Sequence, residues 1–129
     1  MTISIKSEND IHYAQHEGVS FAQNIGMETL DTTKVSIIIS ELAHNIIKYA
    51  QKGFVRFSKV NNEFNVGILV EAIDNGPAIE DIERALKDNY STGGSLGLGL
   101  PGIKRISDEL HISSSKGKGT HIKVTYWKK

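Results

Sequence analysis

The run Ser91-Thr92-Gly93-Gly94-Ser95-Leu96-Gly97-Leu98-Gly99-Leu100-Pro101-Gly102 constrains this chain more than any other stretch. Six of its twelve residues are Gly or Pro, yet leucines are interleaved, and a flexible linker would not carry them. The segment is therefore expected to fold over something and to pack in part. Its backbone amides and the N-terminus of the next helix can cradle an anion, with phosphate the natural guess. A helix dipole supplies only about 0.3–1 kcal/mol at an exposed site. A cation and the basic Lys104 and Arg105 would have to add to it, although either residue can equally be surface filler.

Two familiar phosphate loops are excluded. Gly97-x-Gly99-x-x-Gly102 matches the dinucleotide fingerprint formally, but no apolar strand precedes it and no acidic residue lies near position 120. Too little chain follows Gly102 for the rest of such a sheet. Gly117-Lys118-Gly119-Thr120 lacks the earlier glycine, at position 112, that a Walker A loop needs.

With 129 residues, 39% of them apolar, the chain is expected to form a single domain over 1–129 with one core. Fifteen basic and fifteen acidic side chains cancel and are spread along the sequence, so no basic stripe exists and nucleic acid is not an expected partner. There is no cysteine, which excludes disulfides and thiolate metal sites. The apolar runs Val35 to Ile39 and Ile68 to Val70 are far too short for a membrane span. The opening residues lack signal-peptide character, so a cytoplasmic, membrane-free protein is expected.

Thr2 to Lys6 alternate as an edge strand would. Ile11, Ala14, Gly18, Phe21, Ala22 and Ile25 form the stripe of a first helix, from Asp10 to near Gly26. Asp31 or Thr32 can cap a second, with Val35, Ile38, Ile39, Leu42, Ile46 and Ala50 on one face and Gly53 as its stop. Phe54 to Val60, an Asn61-Asn62 turn and Phe64 to Ile73 read as a hairpin. Ile79, Ile82 and Leu86 suggest a short helix, and Ile103, Ile106 and Leu110 another. His111 to Ser115 and Thr120 to Trp127 form a final hairpin, with Tyr126 and Trp127 capping the sheet edge or the end of the core. Helices with mostly antiparallel strands give an α/β sandwich.

Two further segments carry candidate chemistry. Glu41, Asn45 and Lys48 lie within about 60° of one another on the second helix, as one polar row beside its apolar face. Asn45 can offer oxygen to Mg²⁺, Lys48 can meet a phosphate and Glu41 can take a proton; the row can also be an ordinary solvated face. Asp74-Asn75-Gly76-Pro77 follows an apolar strand, so Asp74 can accept a hydrogen bond from an adenine amino group. Gly76 would let the backbone approach the base, or the four residues form a plain turn.

In order, Glu41-x-x-x-Asn45, Asp74-x-Gly76 and the Gly93 to Gly102 run, closed by Gly119-Thr120, resemble the N, G1 and G2 boxes of the GHKL ATPase/kinase superfamily. Within it, Tyr90-Ser91-Thr92 and the Leu96 to Arg105 stretch resemble RsbT-type serine/threonine kinases of bacterial stressosomes. The resemblance implies a Bergerat ATP-binding fold, a two-layer α/β sandwich with a mixed, mostly antiparallel sheet. It implies ATP and Mg²⁺ as cofactors, with Asn45 on the metal, Asp74 and Thr120 at adenine, Gly76 beside the base, and amides from Gly93, Gly94, Gly97 and Gly99 over the phosphates. Glu41 would be the general base toward a protein hydroxyl. One departure stands out: Ala78 occupies the second glycine of the usual Asp-x-Gly-x-Gly.

The implied activity is phosphorylation of a STAS-domain scaffold protein, followed by activation of a PP2C-type phosphatase. The alternative is an anti-sigma-factor kinase that binds a sigma factor and phosphorylates a STAS-domain antagonist. His12 and His16 stand one turn apart but lack further ligands for Zn²⁺. Ser91 and Ser95 lack the strand-to-helix elbow of a hydrolase nucleophile.

Overall fold

The computed structural model describes residues 1–76, 99–115 and 117–129. The expected short helix from Ile79 to Leu86, together with Ala78, Gly93, Gly94 and Gly97, lies outside the described residues. The elements in chain order are β1 (Thr2–Ile5), α1 (Glu8–Asn24), α2 (Thr29–Ala50), β2 (Gly53–Asn61), β3 (Val66–Asp74), α3 (Gly99–Ile106), β4 (Glu109–Ser115) and β5 (Gly119–Trp127).

The helices start and stop for identifiable reasons. Ser7 caps α1 by accepting the Asp10 amide, and the Asp10 carboxylate in turn accepts the Lys6 amide at 2.8 Å. The cap of α2 is Glu28, not Asp31 or Thr32, and Glu28 makes no side-chain capping bond. Thr32 is instead inside the helix, its hydroxyl donating to the Thr29 carbonyl. Gln51, at φ 70°, ends α2 before Gly53 is reached, and Gly53 opens β2. Between β2 and β3, the Asn62 side chain accepts the Phe64 and Asn65 amides, which holds Phe64 out of the strand where sequence alone places it. Leu110, expected on the last helix, lies in β4, because α3 ends at Ile106.

The strands form a single sheet in the order β1-β2-β3-β5-β4, every pair antiparallel among the described residues. All three described helices pack on one face of it, which makes two layers. Alternation along the strands sends Val55, Phe57, Ile68, Val70, Ile122 and Val124 into the core, where Ile38, Ile39, Leu42 and Ile46 of α2 meet them. No described helix is long and apolar enough to cross a membrane.

Tyr126 does not cap an edge: it is fully buried, and its hydroxyl donates to Asp31 Oδ1 at 2.7 Å. The other oxygen of Asp31 accepts the Lys129 amide at 3.0 Å, so a buried carboxylate in the first turn of α2 anchors the end of β5. Burial, and then the Asp31 carboxylate, push the Tyr126 phenol well above its ordinary range. Asp31→Ala should cost about 2–3 kcal/mol, since it strands a buried hydroxyl, and Tyr126→Phe should cost less. Urea midpoints measure both, and an Asp31→Ala protein as stable as the parent would contradict the assignment.

The opposite face of the sheet is polar. Arg56 and Glu71 are directly paired across β2 and β3, joined by two bonds of 2.8 and 3.0 Å, and His121 Nε2 lies 2.9 Å from the same carboxylate. The Arg56 guanidinium holds the Glu71 carboxyl below its ordinary value of 4.5. A folded-state value below the unfolded one adds stability in full above that ordinary value and loses it as pH falls through the folded value. Acid titration of the wild type should therefore show falling stability below about pH 4.5, the ordinary value, and Glu71→Gln should flatten that limb.

Candidate functional site

The polar row on α2 runs from buried at Glu41 to exposed at Lys48. Glu41 is 0% exposed, because its position borders Ile38 and Leu42 on the buried stripe. One carboxylate oxygen, Oε2, accepts the Gly99 amide at 3.0 Å, from the first residue of α3, 58 residues away in sequence. The first amides of a helix have no intrahelical acceptor, so the carboxylate satisfies one of them and lies favourably to the helix dipole. The second oxygen, Oε1, is buried without a hydrogen-bond partner among the described residues. A buried unpaired carboxylate oxygen is costly, and such an atom is suited to a proton or a cation arriving with a ligand.

One turn further on, Asn45 is half-buried. Lys48 is exposed, its ammonium 4.9 Å from the centroid of the Tyr49 ring. Sequence places Gly99 among the amides that cover phosphate; in the structure its single N–H proton goes to Glu41 instead.

Asp74 ends β3 on the helix-facing side, in the same alternation as Val70 and Ala72. Its Oδ1 accepts the Gly76 amide at 2.9 Å and so forms the turn itself. Gly76 is hemmed in by α2: a Cβ there would lie 2.5 Å from the Ala50 Cβ, so the missing side chain lets this turn pack on the end of the helix. Directly opposite Asp74 in the register is Thr120, which is 6% exposed. Gly119 precedes it at φ 78°, where a Cβ would fall 1.9 Å from the Asp74 carbonyl oxygen, so only glycine fits.

Ser114 belongs to the same rung. It pairs with Thr120 across β4 and β5, with the two hydroxyl oxygens 2.9 Å apart. Sequence reasoning missed it, because the expected hairpin, with strands ending at Ser115 and starting at Thr120, puts Ser115 opposite Thr120; β5 opens one residue earlier, at Gly119, and the register moves by one.

The structure thus brings Glu41 to Gly99, Gly76 to the end of α2, and Asp74 to Thr120 and Ser114. Lys48 makes none of these contacts. A cleft of about 530 Å³ opens at the same end of the sheet, bounded by Ala50, Phe54, Ile73, Asp74 and Gly76. It does not reach Glu41, Asn45 or Thr120, so it is a neighbour of this cluster and not its centre.

Residues 30–129 match the family described as histidine kinase-, DNA gyrase B-, and HSP90-like ATPase. The chain belongs to that family. Among similar proteins, serine/threonine-protein kinase RsbT of Bacillus subtilis is 40% identical over 97% of this chain and 94% of its own length. The anti-sigma F factor of Clostridium acetobutylicum is 29% identical over 91% of this chain and 84% of its own. Among solved structures, the catalytic domain of histidine kinase ThkA superposes with TM-score 0.57 at 15% identity, covering 99% of this chain and 96% of that one, which shows the shared fold. The GHKL resemblance and the α/β sandwich expected from the motifs are therefore correct, and the chain is an enzyme of the ATPase/kinase type.

Among the described residues no group of three His, Cys, Asp or Glu side chains can hold a metal. Mg²⁺ suits such a site nonetheless, since it keeps its waters and takes one or two protein oxygens plus substrate phosphates. The half-buried Asn45 amide is an oxygen donor of that kind.

If the Glu41 carboxylate holds α3, exchange of the Gly99 amide proton should separate two variants. Glu41→Gln keeps an acceptor oxygen and should leave protection close to that of the parent. Glu41→Ala should speed exchange about tenfold or more, the value of a lost hydrogen bond to a charged group. Equal protection in all three proteins would refute the tie.

Proposed function

We propose that this protein is a serine/threonine protein kinase that transfers the γ-phosphoryl group of Mg-ATP to a hydroxyl on a partner protein in a bacterial partner-switching module. The observation that carries the reading is the buried Glu41 carboxylate, one oxygen fixed by Gly99 and the other unpartnered, one turn from Asn45. The 40% identity to a serine/threonine-protein kinase over nearly the whole chain supports it.

In this reading Asp74 and Thr120 receive the adenine, with Gly76 beside the base. Amides of Gly93, Gly94 and Gly97 cover the phosphates, and Lys48 swings from Tyr49 toward them. Asn45 would hold Mg²⁺, which when bound would neutralise charge on the phosphates. Glu41 Oε1 takes the proton of the attacking hydroxyl as its oxygen bonds to the γ-phosphorus, and the bond to the bridging oxygen of ADP breaks. Phosphoryl transfer is mainly positioning and charge stabilisation, so a base already locked through Oε2 costs no reordering when the substrate arrives.

The substrate of this proposal is a STAS-domain scaffold protein of a stressosome, and the released kinase then activates a PP2C-type phosphatase. The identity to anti-sigma F factors favours a second reading, an anti-sigma-factor kinase with the same pocket and a sigma factor on its outer surface. Phosphatase activity measured with and without the protein, beside direct binding to a sigma factor, separates the two.

Labelled phosphate should pass from Mg-ATP to the STAS-domain protein. Glu41→Gln should lower kcat by about 10²- to 10⁴-fold, the usual worth of a general base, with little change in ATP affinity. Asp74→Asn should act the other way, weakening ATP binding first. Unchanged turnover in Glu41→Gln would rule out the base role.

A further inference from the structure

Asp74 and Thr120 are on the helix-facing side of the sheet, and the rung beside them faces the other way. Ser4, Phe54 and Ile73 are directly aligned across β1, β2 and β3. They alternate with the buried Ile5, Val55 and Ala72, so their side chains stand on the face opposite the helix layer. The cleft of about 530 Å³ is built on this outer rung and is closed at the sheet end by Ala50 and the Asp74–Gly76 turn. It therefore lies behind the proposed adenine contacts, sharing their turn but not their face.

The cleft has an apolar floor and a cationic rim. Phe54 leaves 48% of its surface exposed, beside the half-buried Ile73, and an apolar body that covers the two gains from the water it displaces. Lys6 and Lys52 also line the cleft, and neither ammonium has an ion-pair or hydrogen-bond partner among the described residues. The remaining charged group there, Asp74, already gives Oδ1 to the Gly76 amide. A half-exposed ring or an unpaired lysine is ordinary surface when it stands alone. Here both border one concavity, whose volume falls in the range of about 300–1,000 Å³ that small-molecule sites occupy.

We propose that this cleft is a binding site for a small amphipathic anion: an apolar body covers Phe54 and Ile73, and one carboxylate, sulfonate or phosphate group meets the Lys6 and Lys52 ammoniums. The site is separate from the nucleotide reading and does not rest on it. Floor and rim have different tasks, since the floor supplies affinity for any apolar body and the two lysines supply the preference for a negative charge.

The probe is anilinonaphthalene sulfonate, an aromatic body with one anionic group, and the control is phenylnaphthylamine, the same body without the sulfonate. Both are titrated into the full chain and followed by their fluorescence. The parent should bind the sulfonate saturably at one site. Lys6→Met combined with Lys52→Met, which keeps both apolar stems, should weaken the sulfonate about three- to tenfold and leave the neutral control unchanged. Phe54→Ser should weaken both compounds about five- to tenfold. Urea midpoints close to that of the parent show that the variants are folded, and saturating Mg-ATP should leave the sulfonate bound. The site is overturned by a parent without saturable binding, by affinities indifferent to Phe54 or to the lysine pair, by an equal loss of both compounds in the lysine variant, or by displacement with Mg-ATP. A parent that binds the sulfonate but not Mg-ATP overturns the proposed function and leaves this site standing.

Discussion

A carboxylate sealed from solvent between two helices is an expensive thing to fold around, and Glu41 is one. Its cost is offset in part by the Gly99 amide, a donor that the start of α3 would otherwise leave unsatisfied. Each group therefore needs the other, and this mutual need ties the start of α3 to the middle of α2. The remaining oxygen has no hydrogen-bond partner among the described residues. Removing the carboxylate would free α3; removing α3 would leave a buried charge with no donor at all.

The remaining contacts arrange themselves around that axis. The Asp74 turn is seated on the end of α2 because Gly76 has no side chain to hold it off Ala50, and Gly119 lets β5 begin against the Asp74 carbonyl. The end of α2 and the ends of β3 and β5 meet through backbone contacts, so the site is built on rigid elements. The outer face of the sheet is separate in construction, with Arg56, Glu71 and His121 in one cluster and Phe54 half-exposed nearby.

Much of the fold was legible in the sequence because period and turn chemistry are local signals. The stripe from Val35 to Ile46 gave α2, and the alternation on either side of Asn62 gave the β2–β3 hairpin. What failed was tertiary. Nothing local says that Asp31 will be the buried acceptor of a tyrosine 95 residues away, or that the chain will turn from α3 into a strand before Leu110. The site divides in the same way. Its motifs could be read as patterns, but Glu41 could be placed only beside the apolar face, because helical phase does not show what the start of α3 lays over it. Ser114 was missed because the expected hairpin started its second strand at Thr120, whereas β5 starts at Gly119 and shifts the register by one residue.

The proposed nucleotide site is assembled from α2, the end of β3, the start of β5 and the start of α3. Titrating Mg-ATP into the isotope-labelled protein and following backbone amide resonances tests it most directly. The account predicts saturable shifts concentrated at Asn45, Asp74 to Gly76, Gly99 and Thr120, with the outer-face residues Arg56, Glu71 and Lys123 little changed. Shifts centred on that outer face, or no saturable response at all, would contradict it.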